Sequence, residues 1–388
     1  MRPYQLRIPL PSFDDNIVVD ILALEQLKVM PSGGTTHPEV FAELKSVFHL
    51  LESLGSARIE GNRTTVEELV DATVRGERDS TEALREIANI EDAMLWIERV
   101  FQLEHRADID HAFLCELHRI VVKNLRTPAE GGEGDVKPGA FRAGDVRITG
   151  SSHVPPPGAL LPAHIDELVR FINQTVEPSM ELLRIAMAHH RFVHIHPFRN
   201  GNGRVVRLLT YAMLIRARFR VDAGRLINPT AVFCHDRQAY IQALSAADEG
   251  TDSALLEWCS FVIGGLRREL STVHAMMDAS TLIPQILLPT LQEAHRRALI
   301  SATELKVLND ILTLQVVDAS LFKAYYPGRS AASISQVIAR YKRRGLIASM
   351  PTATSRRYVI RVASPLLLRP LIDVLDRAGY LPVRTGRV

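Results

Sequence analysis

The stretch HIHPFRNGNGRVVR, His194 to Arg207, decides how this chain is read, and an apolar run, LLTYAMLI, follows it at once. A loop dense in Gly and Asn that opens into an apolar run reads as a tight turn feeding a buried helix. Gly201 and Gly203 let the backbone pass close to a ligand and take positive φ where needed. Backbone N–H groups ahead of a helix converge on anions, and the helix dipole adds partial positive charge there. Arg204 and Arg207 lie three apart and share one face of the first turns. Cations at a helix N-terminus oppose the dipole, so a bound polyanion explains them better than helix stability does. His196 precedes the loop and is placed to take a proton from a nucleophile near that anion. A phosphate cradle beside a base is the chemistry of nucleotidyl or phosphoryl transfer. The plainer alternative is a turn with solvated arginines. It suits a Gly-rich loop alone, and suits less well the fixed spacing of His, Phe, Gly, Asn and Arg.

The chain has 388 residues, enough for two or three domains and a sizeable core. Its 46% hydrophobic and 23% charged residues are those of an ordinary soluble globular protein. A formal net charge of +2 gives bulk electrostatics no bias toward nucleic acid or membrane, so any basic surface must be local. Cys115, Cys234 and Cys259 are far apart and form no CxxC, which suggests neither a disulfide framework nor a zinc site and fits a reducing cytoplasm. The N-terminal MRPYQLRIPLPSFDD has no apolar core of a signal peptide, and no apolar run reaches membrane-spanning length. The expectation is a cytoplasmic protein without a membrane partner.

Outward from the loop, VVDILALEQLKVM has apolar residues at helical spacing. Pro38 suits a helix first turn, and Val40, Phe41, Leu44, Val47, Phe48 and Leu51 mark one face of that helix. It runs into SARIEGN, Ser56 to Asn62. Ser56 and Glu60 stack at i and i+4, and Gly61 reads as the C-cap. A carboxylate at a helix C-terminus is disfavoured by the dipole, so Glu60 calls for a cationic partner. Thr64 or Thr65 caps a helix through Val74. Helices are expected over 82–104 and 110–122. The Gly- and Pro-rich stretch that follows breaks the periodicity, and its pieces VRI and HV, separated by TGSS, read as a small β-hairpin or an irregular surface loop. Helices resume at 163–174, 180–192, 205–219, 235–247 and 252–277. His189 and His190 are most simply core or surface histidines with backbone partners. Arg237 and Tyr240 share a face.

Beyond Pro284 and Pro289 the composition turns basic. Three helices, over SATELKVLNDILTL, DASLFKAYY and SAASISQVIARYKRRG, are followed by strands LIAS and YVIRV. That order reads as a winged helix-turn-helix. Ser333, Gln336, Arg340 and Arg343 would project from its third helix, and Arg356 and Arg357 from the wing. Such a unit binds DNA, or serves as a protein-docking or dimer module. SPLLLRPLIDVLDRAGY closes the chain as a further helix.

His196, Pro197, Phe198, Gly201, Asn202, Gly203, Arg204 and Arg207 together resemble the HPFx(D/E)GNGRxxR signature of the Fic (filamentation induced by cAMP) family. The departure is Asn200, where most AMP-transferring members carry Asp or Glu. SARIEGN resembles the (S/T)xxxE(G/N) inhibitory motif of members whose inhibitory helix precedes the core. GxFR…VxI…HxPPP, Gly139 to Pro157, resembles the family's flap. The resemblance covers roughly residues 15–275. It implies an all-α Fic fold with a small β-hairpin flap, beside the C-terminal winged helix-turn-helix. The expected division is 1–110 for an N-terminal helical region with the inhibitory helix, 111–280 for the core and 290–388 for the winged domain.

The implied activity is protein adenylyltransferase: AMP passes from ATP to a Ser, Thr or Tyr hydroxyl of a target protein held at the flap, residues 139–157. In that scheme His196 is the general base and Phe198 anchors the loop. Gly201, Asn202 and Gly203 line the anion hole, Arg204 binds phosphate, and Arg207 orients the γ-phosphate or pairs with inhibitory Glu60, aided by Ser56. Mg²⁺ normally uses the acid at position 200. Asn200 offers a carbonyl oxygen without the charge that favours a hard cation. Removal of AMP, transfer of another phosphate-bearing group, and a nucleotide-sensing DNA-binding regulator are the alternatives. DNA at the winged helix and a second copy in a homodimer are further expected partners.

Overall fold

The 3.6-residue spacing of apolar residues becomes helix along most of the chain. The computed structural model describes residues 5–29, 35–104, 108–219, 229–276, 278–350 and 356–381. At its centre the Glu181–Ile195 helix packs on the Asn202–Arg216 helix. The second is enclosed on every side, with Val205, Val206, Leu208, Leu209, Tyr211, Ala212, Met213 and Leu214 buried and Arg204 and Arg207 buried among them. Pro38–Ile59, Glu82–Glu98 and His111–Val121 pack on it. Leu161–Asn173, Arg237–Ala247 and Asp252–Met276 complete the enclosure through contacts with the Glu181–Ile195 helix or with one another.

The ends of these helices follow from their capping residues. Thr65 and Glu68 form a reciprocal capping box at Val66–Arg75. Asp110 accepts from Phe113 N at 2.7 Å. The Pro38–Ile59 helix stops at Gly61, φ 107°, where Asn62 N donates to Ala57 O at 3.1 Å. Arg237 Nε donates to the Ile59 carbonyl at 2.8 Å. The helix after the loop starts at Asn202 rather than Val205 because Gly201, φ 77°, makes the entry turn and the loop's own residues form the first helical turn. The helix at 82–104 is α-helical to Glu98 and closes in a π-turn, Arg99–Leu103.

The expected flap hairpin does not form. Residues 139–157 are extended chain with a turn at Ile148–Ser151 and no strand. Arg142 bonds within the segment to Gly144 O and Pro156 O and outside it to His196 O and Ile195 O, so side-chain bonds hold it in place of a ladder.

Among the described residues, strands pair only in the C-terminal region. Helices Ala302–Leu314, Ala319–Tyr325 and Ala331–Arg343 lead into an antiparallel pair, Ile347–Ser349 with Tyr358–Ile360, plus a bridge from Val317 to Tyr358. Gln336, Arg340, Arg343, Arg356 and Arg357 are exposed and Ser333 half-buried. The tip of the expected wing, 351–355, and Met30 and Met277, the last residues of two expected helices, lie outside the described residues. Helical structure runs from Ala279 to Arg296, with Pro284 and Pro289 in first-turn positions of its segments, so position 290 falls inside a helix. The C-terminal region packs against the Pro38–Ile59 helix, where Glu43 accepts from Arg361 Nε at 2.8 Å and Ala363 N at 2.9 Å. Among the described residues, no helix is long and apolar enough to cross a membrane.

Candidate active site

The loop is closed by its own residues. Asn202 Oδ1 accepts from Phe198 N, and its Nδ2 donates to Phe198 O, both at 2.9 Å. Its side chain is therefore a staple across the loop. Phe198 is fully buried, stacked 3.9 Å from the His118 ring at 6° and 5.2 Å from Phe141. His118 Nδ1 accepts from Gly139 N at 2.9 Å, so its proton sits on Nε2, 3.2 Å from the Asn200 carbonyl. Burial lowers this ring to about 4, which keeps it neutral.

His196 terminates its helix in the left-handed region, φ 49°, ψ 64°, with its N–H on Phe192 O at 3.0 Å. A non-glycine residue held there stores strain of the kind found at functional sites. Burial lowers the imidazole to about 4, with the Val193 carbonyl and Glu60 pulling the other way. The ring is neutral at neutral pH and able to accept a proton.

The two arginines of the loop helix are buried and held by carboxylates from other elements. Arg207 Nη2 donates to Glu60 Oε1 at 2.7 Å and to Ser56 O at 2.9 Å, while Nε donates to Ser56 Oγ at 2.9 Å. The guanidinium is thus split between Ser56 and Glu60 rather than forked onto the carboxylate. Burial pushes the Glu60 carboxyl up, but Arg207, Arg204 and Arg237 outweigh it and hold it below the ordinary range. A Cβ built on Gly203 would fall 2.1 Å from Glu60 Oε1. The carboxylate therefore lies against the loop backbone. Arg204 Nη1 is 2.9 Å from Glu86 Oε1, and its Nη2 donates to Glu133 O at 2.7 Å.

Position 200 carries an amide, yet carboxylates surround it. Asn200 N donates to Asp135 Oδ2 at 3.1 Å. Asn200 Nδ2 is 3.3 Å from Glu133 Oε2 and 3.2 Å from Gly134 O. Arg142 ties the flap to this loop. It is buried, and it donates to the carbonyls of His196 (2.8 Å), Gly144 (2.8 Å), Pro156 (2.7 Å) and Ile195 (3.1 Å). Its own N–H donates to Pro197 O at 2.9 Å.

The fold thus brings His196, Phe198, Asn200, Gly201, Asn202, Gly203, Arg204 and Arg207 onto one loop and helix start, with Ser56 and Glu60 against them. His189 is a core residue between Thr210 Oγ1 (2.8 Å) and the Tyr240 hydroxyl (2.9 Å). Sequence reasoning missed His118, Glu86, Glu133, Asp135 and Arg142. Arg142 stood inside the quoted GxFR piece, and Glu133 and Asp135 inside the run EGGEGD. Nothing local marked Glu86 or His118.

A mostly helical protein whose His-bearing loop sits at a helix junction is the class that fold and site define. Residues 108–214 match the Fic/DOC family model. Protein adenylyltransferase Fic of Drosophila yakuba is 31% identical over 206 residues, 52% of this chain and 37% of that protein. The protein of the same name from Drosophila melanogaster gives the same figures. The chain spans little more than a third of the length of these curated relatives. A Fic family protein from Desulfovibrio desulfuricans G20 shares the fold over 92% of this chain and 98% of its own, with TM-score 0.55 and 18% identity. A Fic domain containing signaling protein from Bacteroides thetaiotaomicron shares it over 68% and 97%, with TM-score 0.51 and 20% identity.

Proposed function

We propose that this chain is a protein adenylyltransferase held inactive by Glu60. A target Ser, Thr or Tyr oxygen attacks the α-phosphorus of ATP, its proton passes to His196, and pyrophosphate leaves. The loop N–H groups and Arg204 neutralise charge that develops on the phosphates. Arg207 orients the γ-phosphate once Glu60 withdraws. The observation that carries the reading is the Glu60–Arg207 ion pair laid over Gly203: a carboxylate occupies the place of an anion beside a neutral histidine. Oxygen donors for a hard cation are present as Asn200 Oδ1 and the half-exposed Glu133 carboxylate 3.3 Å from the Asn200 amide nitrogen. These two would hold Mg²⁺, with Glu133 supplying the charge that position 200 lacks. When bound, the ion would neutralise phosphate charge.

The test is a transfer assay with Glu60→Gly protein and ATP labelled at the α- or the γ-phosphate. Label from the α-position alone should enter protein, and His196→Ala should abolish it. Label from the γ-position would mean phosphoryl transfer. The exposed Arg340, Arg343, Arg356 and Arg357 support a second proposal, DNA contact through the C-terminal unit. Its test is salt-dependent duplex binding lost on paired Ala substitution.

A further inference from the structure

The flap meets the catalytic loop in a side-chain cluster that the transfer chemistry does not use. His153 of the flap, His194 at the end of the Glu181–Ile195 helix and Asp248 beyond the Arg237–Ala247 helix each offer one ligand atom. Those three atoms lie within 4.8 Å of one another, and all three residues are half-buried. His153 Nε2 is 2.7 Å from the His194 carbonyl oxygen. That oxygen can only accept, so Nε2 carries the ring proton. In the neutral ring the lone pair is then on Nδ1, and Nδ1 faces Asp248 Oδ2 at 3.8 Å. Two acceptors facing each other call for a cation between them.

The surroundings suit a metal. His190 Nε2 lies 3.3 Å from Asp248 Oδ1 and 3.1 Å from Leu244 O. It steadies the carboxylate from behind, as outer partners of metal ligands do. Three atoms within 4.8 Å of each other share a centre at most about 2.8 Å from each. Shifts of about 0.7 Å then reach the bond lengths of roughly 2.0–2.2 Å that zinc makes to His and Asp. Two imidazoles and one carboxylate suit Zn²⁺ and its first-row neighbours rather than Mg²⁺. Three protein ligands leave a position for water.

We infer that His153, His194 and Asp248 form a Zn²⁺-class site that clamps the flap to the catalytic loop. His194 lies two residues from His196, so an ion there fixes the flap edge relative to the base. The consequence for target docking rests on the transferase reading. The site itself does not.

The test uses full-length protein stripped with a chelator and titrated with Zn²⁺ alone by calorimetry, without nucleotide. Wild type should bind one Zn²⁺ per chain, unaffected by excess Mg²⁺. Co²⁺ in its place should give the visible absorption of a low-coordinate His/carboxylate site. His153→Gln and Asp248→Asn should each weaken Zn²⁺ by about 100-fold and His190→Asn by about tenfold, with circular dichroism confirming that each is folded. His111→Gln, at an exposed His–Asp pair elsewhere, should bind as wild type does. No binding by folded wild type, or binding that survives both His153→Gln and Asp248→Asn, overturns the site. Because no nucleotide is present, failure here and failure of AMP transfer are separate results.

Discussion

The loop from His196 to Arg204 and the flap from Gly139 to Pro157 lie side by side, joined by Arg142, yet they are held in opposite ways. The loop closes on itself: Asn202 makes both its side-chain bonds to Phe198, four residues away. The flap has bonds of its own, Ser151 N to Ile148 O, His153 N to Ser151 Oγ, and Arg142 to Gly144 O and Pro156 O. Further anchors reach the neighbouring loop, through Arg142 to His196 O and Ile195 O and through His153 to His194 O. The loop is therefore closed by a local staple, and the flap shares Arg142 with it. A change in the loop should damage chemistry, and a change in the flap anchors should damage docking.

The largest effect belongs to the loop. His196→Ala removes the proton acceptor and should lower transfer by on the order of 100- to 10,000-fold, while equilibrium ATP binding stays near wild type. Transfer at wild-type rate by the variant would end the base assignment. Arg142→Ala comes next, and it should separate the two regions. It strands four carbonyls, so stability should fall by about 3 kcal/mol, read by denaturant unfolding. Limited proteolysis should then cut first within 139–157, with nucleotide affinity little changed. Equal loss of nucleotide affinity would show that the loop, too, depends on the flap.

A pH dependence follows from buried histidines. His49 and His118 are lowered by burial to about 4 in the fold, against about 6.5 unfolded. Between those values the unfolded chain binds more protons, so stability rises with pH there. Thermal unfolding should move to lower temperature as pH falls from about 6.5 toward 4, and His118→Asn should flatten part of that slope. A midpoint constant across this window would contradict the neutral buried rings. The smallest effect concerns position 200. Glu133→Gln should raise the Mg²⁺ needed for half-maximal transfer several-fold, and Asn200→Asp should restore it by returning the charge. Identical Mg²⁺ curves would leave Glu133 as an Arg204 partner only.

What could be read from the sequence follows the same division. The loop was legible because its bonds are local and its residue types are each required by them. Glu60 was legible because it sits at the helix end that disfavours its charge, and Arg207 because it shares a helix face with Arg204 behind the loop. The helices of the C-terminal region were legible through their caps, Ser301, Asp318 and Ser330, whose side chains accept from first-turn N–H groups. The flap was not, because VRI and HV satisfy a strand pattern while the bonds that decide the outcome come from residues tens of positions away. The same distance hid Glu133 and Asp135, which meet Asn200 only after folding, and His118, whose ring meets Phe198 and the Asn200 carbonyl only then.

The most direct test of the account compares self-modification by wild type and Glu60→Gly at saturating ATP and Mg²⁺. The carboxylate that covers Gly203 is gone in the variant and Arg207 is free to meet a γ-phosphate. Labelled AMP incorporation should rise by on the order of tenfold or more, because an oriented donor and a positioned nucleophile are worth that much and beyond. Arg207→Ala should not mimic the rise, and adding His196→Ala to Glu60→Gly should erase it. Incorporation by Glu60→Gly no greater than by wild type would mean that the Glu60–Arg207 pair is a structural contact and that the chain is not restrained by it.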